Sequence, residues 1–99
     1  MVNHYVFWNL NETLTAEEKV EAGQKIKEKL EAVGKLVPGV VSLEVRMNEL
    51  DSSNRDVALL SSFESVEALG AYQVHPEHVA FGKVLSELRE LRACIDYEY

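Results

Sequence analysis

Cysteine, proline and glycine are all scarce in this sequence. The one cysteine, Cys94, excludes an internal disulfide bond and a cysteine-rich zinc site. Only two prolines and five glycines interrupt the 99 residues, and no repeat, linker or low-complexity segment divides them. The sequence therefore predicts a single domain over residues 1–99. We interpret Cys94 as a small packing residue in a strand, and so little cysteine favours a reducing compartment.

Basic residues and long apolar runs are scarce as well. Ten Lys and Arg residues against 17 Asp and Glu residues give a net charge of −7. Because nucleic acids and anionic membranes attract basic surfaces, this charge predicts neither of them as a partner. No apolar run approaches the roughly 20 residues that span a bilayer, and no basic and apolar leader segment is recognisable. We therefore expect a cytoplasmic protein.

Alternating apolar and polar residues predict the β-strands. The segments are Asn3–Leu10, Val41–Met47, Val57–Phe63 and Ala93–Tyr99. In the first of them, His4, Val6 and Trp8 share one face, and Tyr5 and Phe7 share the other. The segment Val57–Phe63 is apolar on both faces, which predicts a central strand whose Leu59 and Leu60 point in opposite directions.

Capping residues and helical spacing predict the helices. Thr15 and Glu18 form a capping box ahead of an apolar stripe, and Gly34 is the predicted end of that helix. The stripe consists of Val20, Gly23, Ile26, Leu30 and Val33. Ser65 is predicted to cap a short helix, and Pro76 is typical of the first turn of another one. The apolar positions of this last helix are Val79, Val84, Leu85 and Leu88.

This order of elements predicts an α+β fold of ferredoxin type, βαββαβ. Such a fold has an antiparallel four-stranded sheet with helices on one face only. Either Tyr5 and Phe7 or Val6 and Trp8 must then point to the uncovered face. Because a large exposed apolar face usually marks an interface, the sequence predicts a homodimer that packs sheet against sheet.

Two of the three histidines lie in one short run, from Tyr72 to Gly82. Pro76 cannot continue an incoming helix, so Tyr72 is predicted to end one helix, while His75 and His78 flank the start of the next. An imidazole beside a phenol at a helix start can act as an acid–base pair. Alternatively, a histidine before proline can serve only as a cap or packing residue, and both interpretations stay open.

Metal binding by the same run is a weaker interpretation. His75 and His78 are three residues apart with Glu77 between them, and divalent metals accept imidazole and carboxylate ligands. However, Pro76 opens the helix between the two histidines, so their side chains need not converge. The sequence also has no recognisable phosphate loop, Ser/His/Asp order or paired-carboxylate motif. We therefore predict neither a metal nor a cofactor.

Four segments of the chain resemble a known family. They are the first strand with its early histidine, the third-strand segment Asp56–Ser65, the run Ala71–Val79 and the final Cys94–Tyr97. Together they resemble the stress-responsive dimeric α/β-barrel (Dabb) family over nearly the whole chain, and the Tyr to His-Pro-x-His segment is the specific part. The resemblance implies a ferredoxin-like chain that forms a homodimer whose two sheets make a barrel.

The family implies two kinds of function. Most members have no assigned reaction, which favours a stress-responsive protein that binds a small apolar or carbonyl-containing ligand. A plant polyketide cyclase of the family works without a cofactor, and its catalytic tyrosine and histidine match Tyr72 and His78 here. Its two other histidines match His4 and His75. The alternative function is therefore that of a cofactor-independent aldol cyclase, lyase or isomerase.

Both functions place the site at the same residues. Tyr72, His78 and His4 are expected to line one pocket, with His75 at its rim and ligand contacts from Val6, Trp8 and Phe81. A cavity of roughly 300 Å³ or more beside His78 would favour catalysis, since ordinary ligand sites begin near that size. Trp8 packed into the same space would favour binding without turnover.

Overall fold

The fold is a four-stranded sheet with helices on one side. The computed structural model describes all of residues 1–99. The elements in chain order are β1 (Val2–Leu10), α1 (Ala16–Leu36), β2 (Val40–Met47), β3 (Val57–Phe63), α2 (Val66–Val74), α3 (Pro76–Leu88) and β4 (Arg89–Glu98). This order confirms the ferredoxin-like prediction, with the second helical segment divided into α2 and α3. No helix combines the length and the apolar character needed to cross a membrane.

All neighbouring strands of the sheet pair antiparallel, in the order β2-β3-β1-β4. Val6 of β1 lies opposite Leu59 of β3 on one side and opposite Cys94 of β4 on the other. β1 and β3 are thus the two inner strands, which confirms the prediction that Val57–Phe63 is central.

One β-bulge interrupts the pairing of β1 with β4. Phe7 pairs with Ala93, but Asn9 pairs with Glu90, so β4 has one residue more than β1 in this interval. Leu91, inside the bulge, has a φ of 54°. Positive φ is uncommon for a residue other than glycine and costs energy, so the surrounding pairing must hold this conformation in place.

The covered face of β1 forms the floor of the core. Val6 and Trp8 are only 3% and 1% exposed, and His4 lies on the same buried face. The helices pack over this face, with Ile26 and Leu30 of α1 fully or almost fully buried. The two alternatives left open by the sequence are thereby resolved, because Val6 and Trp8 face the helices.

The start of α1 agrees with the prediction, whereas its end does not. The Thr15 hydroxyl accepts from the Glu18 N–H at 3.1 Å, and the Glu18 carboxylate accepts from the Thr15 N–H at 2.8 Å. The helix runs to Leu36, however, beyond the predicted end at Gly34. A Cβ at Gly34 would lie 3.1 Å from the Cβ of Leu43. Gly34 therefore serves the close approach of α1 to β2 rather than ending the helix.

Some residues assigned to the core by their spacing are exposed. Three valines are in this group: Val20, Val79 and Val84. The helices turn other residues inward, so α3 buries Phe81 and Leu85 instead. Cys94 is exposed as well, so its prediction as a packing residue was wrong. The physical reason is that β4 is an edge strand whose central and C-terminal residues no helix covers.

The other face of the sheet is apolar, and no helix covers it. Its apolar side chains come from three strands and are Tyr5, Phe7, Leu60, Ala93, Ile95 and Tyr97. Leu60 is half-buried there, whereas its neighbour Leu59 is 4% exposed beneath the helices. The prediction that Leu59 and Leu60 point to opposite faces is therefore confirmed.

Candidate functional site

His75 forms the break between α2 and α3. Its backbone N–H donates to the carbonyl of Tyr72 at 3.3 Å, which closes the last turn of α2. Its Nδ1 accepts from the N–H of Glu77 at 3.1 Å, which caps the first turn of α3. The capping role that the sequence left open for His75 is thus confirmed.

A cavity of about 100 Å³ lies between the helix layer and the sheet. Its lining residues are His4, Val6, Trp8, Leu30, Leu59, Gln73, His78, Gly82, Leu85, Arg89 and Arg92. The structure therefore brings together four of the residues expected at the site: His4, Val6, Trp8 and His78. It does not bring Tyr72, His75 or Phe81 to the wall of this cavity. The volume is also below the 300 Å³ that was expected of a catalytic pocket, because Trp8 packs into that space.

His78 is positioned by a hydrogen bond at the end of α2. Its Nδ1 lies 3.1 Å from the backbone carbonyl of Gln73. Since a carbonyl only accepts, Nδ1 carries the hydrogen, and Nε2 of the neutral ring is left as the acceptor. Burial lowers the pKa of His78, and the charges of His4, Arg89 and Arg92 lower it further, while the hydrogen bond to Gln73 opposes them. His78 is therefore a neutral base at physiological pH.

We expect the NMR titration midpoint of the His78 ring to fall below the ordinary value of about 6.5. Between that value and the lower folded pKa, the unfolded chain binds more protons than the folded chain. Folding stability should therefore fall as the pH is lowered from about 6.5 through the pKa of folded His78. The His78→Gln variant should not show this loss of stability. Its spectrum also identifies the His78 signal, which is absent from it. A midpoint at or above 6.5 would show that His78 is not desolvated.

His4 forms a pair with an aspartate of the edge strand. Its Nδ1 lies 2.5 Å from Oδ1 of Asp96, and His4 is buried while the Asp96 side chain is 43% exposed. The carboxylate accepts from Nδ1–H and so fixes the orientation of the ring, as carboxylates do for functional histidines. Asp96 was not predicted as a site residue, because this contact depends on the register of β4 against β1.

The same corner brings together three side chains of metal-binding types. His4 Nδ1, Cys94 Sγ and a carboxylate oxygen of Asp96 all lie within 4.8 Å of one another. These ligand types suit zinc and related ions. No such group includes His75 or His78, the residues of the weaker metal interpretation. Desolvation and the charge of Asp96 raise the pKa of the Cys94 thiol, which does not favour a nucleophilic thiolate.

Tyr72 lies beneath His78 rather than beside the cavity. The two ring centroids are 4.5 Å apart, and Tyr72 is fully buried. Its hydroxyl has no hydrogen-bond partner, which is costly for a buried polar group. Burial raises the pKa of this hydroxyl, so it can donate a hydrogen bond but does not ionise near neutral pH.

Phe81 occupies a different environment from the one expected. It belongs to the hydrophobic core and lines a groove between α1 and α3 instead. The reason is the orientation of α3 about its axis, which directs His78, Gly82 and Leu85 toward the cavity. Phe81 lies on the neighbouring stripe, toward α1.

A larger depression, of about 650 Å³, opens on the uncovered side of the sheet. It is lined by Phe7, Ala93 and residues of the 46–58 hairpin, and it contains no histidine. The two histidines that line a cavity, His4 and His78, therefore both lie at the smaller one.

Sequence comparison places the chain in a known family. The family model of the stress responsive A/B barrel domain, Dabb, matches residues 2–99. The chain therefore belongs to the stress responsive A/B barrel domain family, as its resemblance implied. Among curated proteins there is no significant match.

Solved structures of similar fold cover nearly the whole chain. A dimeric protein of unknown function with a ferredoxin-like fold, from Bacteroides fragilis, is 37% identical, with 99% of this chain and 95% of that one covered and a TM-score of 0.90. A Dabb family protein from Mesorhizobium loti is 19% identical, with coverages of 99% and 95% and a TM-score of 0.77. A hydroxynitrile lyase from Passiflora edulis is 17% identical, with coverages of 97% and 90% and a TM-score of 0.73. At such low identity the last two similarities show a shared fold alone.

Proposed function

We propose that the protein is a homodimer that binds a small carbonyl compound in the cavity beside His78. The observation that carries the proposal is the composition of the cavity wall. His4, His78 and Gln73 are polar residues of this wall, and apolar side chains such as Val6 and Leu59 line it as well. Sites that bind small molecules combine a few polar groups with apolar walls in this way.

The dimer is supported by the uncovered sheet face and by a relative. Tyr5, Phe7 and Leu60 lie at the centre of that face, and Ile95 beside them is 55% exposed. An apolar surface of this kind is costly in water and is typical of an interface. The Bacteroides fragilis protein, 37% identical, is dimeric. Packing of two such faces against each other would bury these side chains.

The volume of the cavity limits the ligand. About 100 Å³ is well below the range of roughly 300–1,000 Å³ for drug-sized ligands. Trp8 fills the space that a longer chain would need. The ligand is therefore a compound of a few heavy atoms rather than a linear polyketide.

Acetoacetamide, a small neutral β-dicarbonyl compound, tests this proposal. We expect a chemical-shift titration of the labelled protein to show saturable binding, with the largest shifts at cavity residues. His78→Gln should weaken the binding about tenfold or more, because it removes the free Nε2 that accepts from the amide N–H of acetoacetamide. His75→Asn is the matched control, since it removes a histidine outside the cavity and retains a capping side chain. Unsaturable shifts, or equal binding by His78→Gln, would contradict the proposal.

The second candidate function is cofactor-independent proton transfer, as in a lyase or aldol cyclase. It is favoured by the unpartnered Tyr72 hydroxyl next to a neutral base, His78. His78 would take a proton from the carbon next to a carbonyl group. Tyr72, which does not reach the cavity wall in this structure, would have to approach it to donate a hydrogen bond to the enolate oxygen. One neighbour of the same fold is a hydroxynitrile lyase.

Exchange of the acetone methyl protons in D₂O separates the two candidates. An enzyme would accelerate the exchange, and both Tyr72→Phe and His78→Gln would abolish the acceleration. Tyr72→Phe is a clean variant, because the hydroxyl that it removes has no partner and its loss should not lower stability. Equal exchange rates in the wild-type protein and both variants would contradict the enzyme and favour a protein that only binds its ligand.

A further inference from the structure

Arg89 and Arg92 both line the cavity, although their spacing in the sequence argues against it. They are three residues apart, and residues three apart in a regular strand point to opposite faces of a sheet. The β-bulge between them adds one residue to β4. This extra residue reverses the alternation, so Arg89 lies opposite Leu10 on the covered face and Arg92 also points to the cavity.

The β-bulge holds one residue in a strained backbone conformation. Leu91, between the two arginines, is held at a φ of 54°. Strained backbone of this kind concentrates at sites where a particular placement of side chains is needed. Here the placement that results is that two arginines line one cavity.

No acidic side chain of the protomer neutralises these two charges. The chain has 17 acidic residues, yet its ion pairs are His4–Asp96, Lys27–Glu31 and Arg46–Glu44. Arg89 is half-buried, and both burial and the charge of Arg92 lower its pKa. Two arginines without an ion-pair partner therefore lie beside two histidines, in a protein whose net charge is −7.

We infer that Arg89 and Arg92 form a carboxylate subsite of the cavity, so that its ligand is a small keto acid rather than a neutral carbonyl compound. This inference rests on the proposed function and specifies its ligand class. A guanidinium matches a carboxylate with two parallel hydrogen bonds, and charge-assisted bonds of this kind are among the strongest in proteins. A carboxylate is also small, so a compound that carries both a carboxylate and a carbonyl group can still consist of only a few heavy atoms. The arginines hold the carboxylate, and Nε2 of His78, an acceptor, faces the carbon beside the carbonyl group rather than the carbonyl oxygen.

Acetoacetate and acetoacetamide form the matched pair of probes, since they differ in size very little and in charge by one unit. We expect the folded wild-type protein to bind acetoacetate about tenfold or more tightly than acetoacetamide in a chemical-shift titration at pH 7. Arg92→Met, at an exposed position, should fold normally and lose most of this preference. Arg89→Met should lose it too, and a thermal melt of each variant reports its folding. Lys83→Met is the control, because it removes an exposed cation of α3 outside the cavity.

The outcomes separate this inference from the proposed function. Equal affinities of the wild-type protein for the two probes would overturn the carboxylate subsite and leave the carbonyl-binding cavity in place. The same preference in Arg89→Met and Arg92→Met as in wild type would also overturn it. Absence of binding by both probes would overturn the subsite and the proposed function together. A preference lost in the arginine variants and kept in Lys83→Met supports the inference.

Discussion

Replacing Leu59 with alanine is expected to lower the free energy of unfolding by about 2–5 kcal/mol. Leu59 is 4% exposed and packs in the core cluster with Val6 and Trp8 of the neighbouring strand. Its truncation removes buried apolar surface and leaves a void that strands held by antiparallel pairing cannot close. Urea denaturation followed by circular dichroism measures the change, provided that the slope against urea stays constant.

Leu36→Ala is the matched control for this substitution. Leu36, at the end of α1 and away from the uncovered sheet face, is 58% exposed, so the same change there should alter stability by less than about 0.5 kcal/mol. If Leu59→Ala proved as mild as Leu36→Ala, β3 would not be covered by the helices, and the assignment of the two sheet faces would be wrong.

The fold was predictable because its elements have strong local signals. Alternation with a period of two marks a strand wherever one face is buried, and Thr15 and Ser65 cap the helices that they precede. The faces of β1 were harder to assign, because Val6 and Trp8 on one face and Tyr5 and Phe7 on the other are equally apolar. Only the packing of the helices decides between them.

The site was predictable only in part, because its geometry depends on register. His4 and Asp96 are 92 residues apart in sequence and meet because β1 and β4 pair in one particular register. Arg89 and Arg92 line the same cavity only because of the bulge. No local sequence pattern predicts a bulge whose residue with positive φ is a leucine. Long-range pairing of this kind is not encoded in residue spacing.

The orientation of a helix about its axis was a second limit. The spacing of apolar residues in α3 allowed several buried stripes, and the structure buries Phe81 and Leu85 while Val79 and Val84 remain exposed. The contact of α3 with α1 selects the stripe, which is a tertiary effect. For the same reason Phe81 packs in the core and does not line the cavity with His78.

The proposed dimer face and the cavity lie on opposite sides of the sheet, so their functions can be tested separately. Leu60 points to the uncovered face, whereas its neighbour Leu59 lines the cavity. A substitution at Leu60 should therefore change the association of the protomers before it changes the ligand site. A substitution at His78 should change the ligand site and leave the association of the protomers unchanged.

Leu60→Asp is accordingly expected to convert the proposed homodimer into a folded monomer. The substitution places a carboxylate at the centre of the apolar face formed with Tyr5 and Phe7, and twofold symmetry brings two such charges into one interface. An uncompensated buried charge costs about 3–5 kcal/mol, which corresponds to a weakening of association by about 100-fold or more. Size-exclusion chromatography with light scattering at micromolar concentration measures the mass, and circular dichroism verifies the fold. Val20→Asp introduces the same charge at an exposed position of α1 and should leave the dimer intact. A monomeric wild-type protein, or a Leu60→Asp variant that stays dimeric, would show that this face is not the interface.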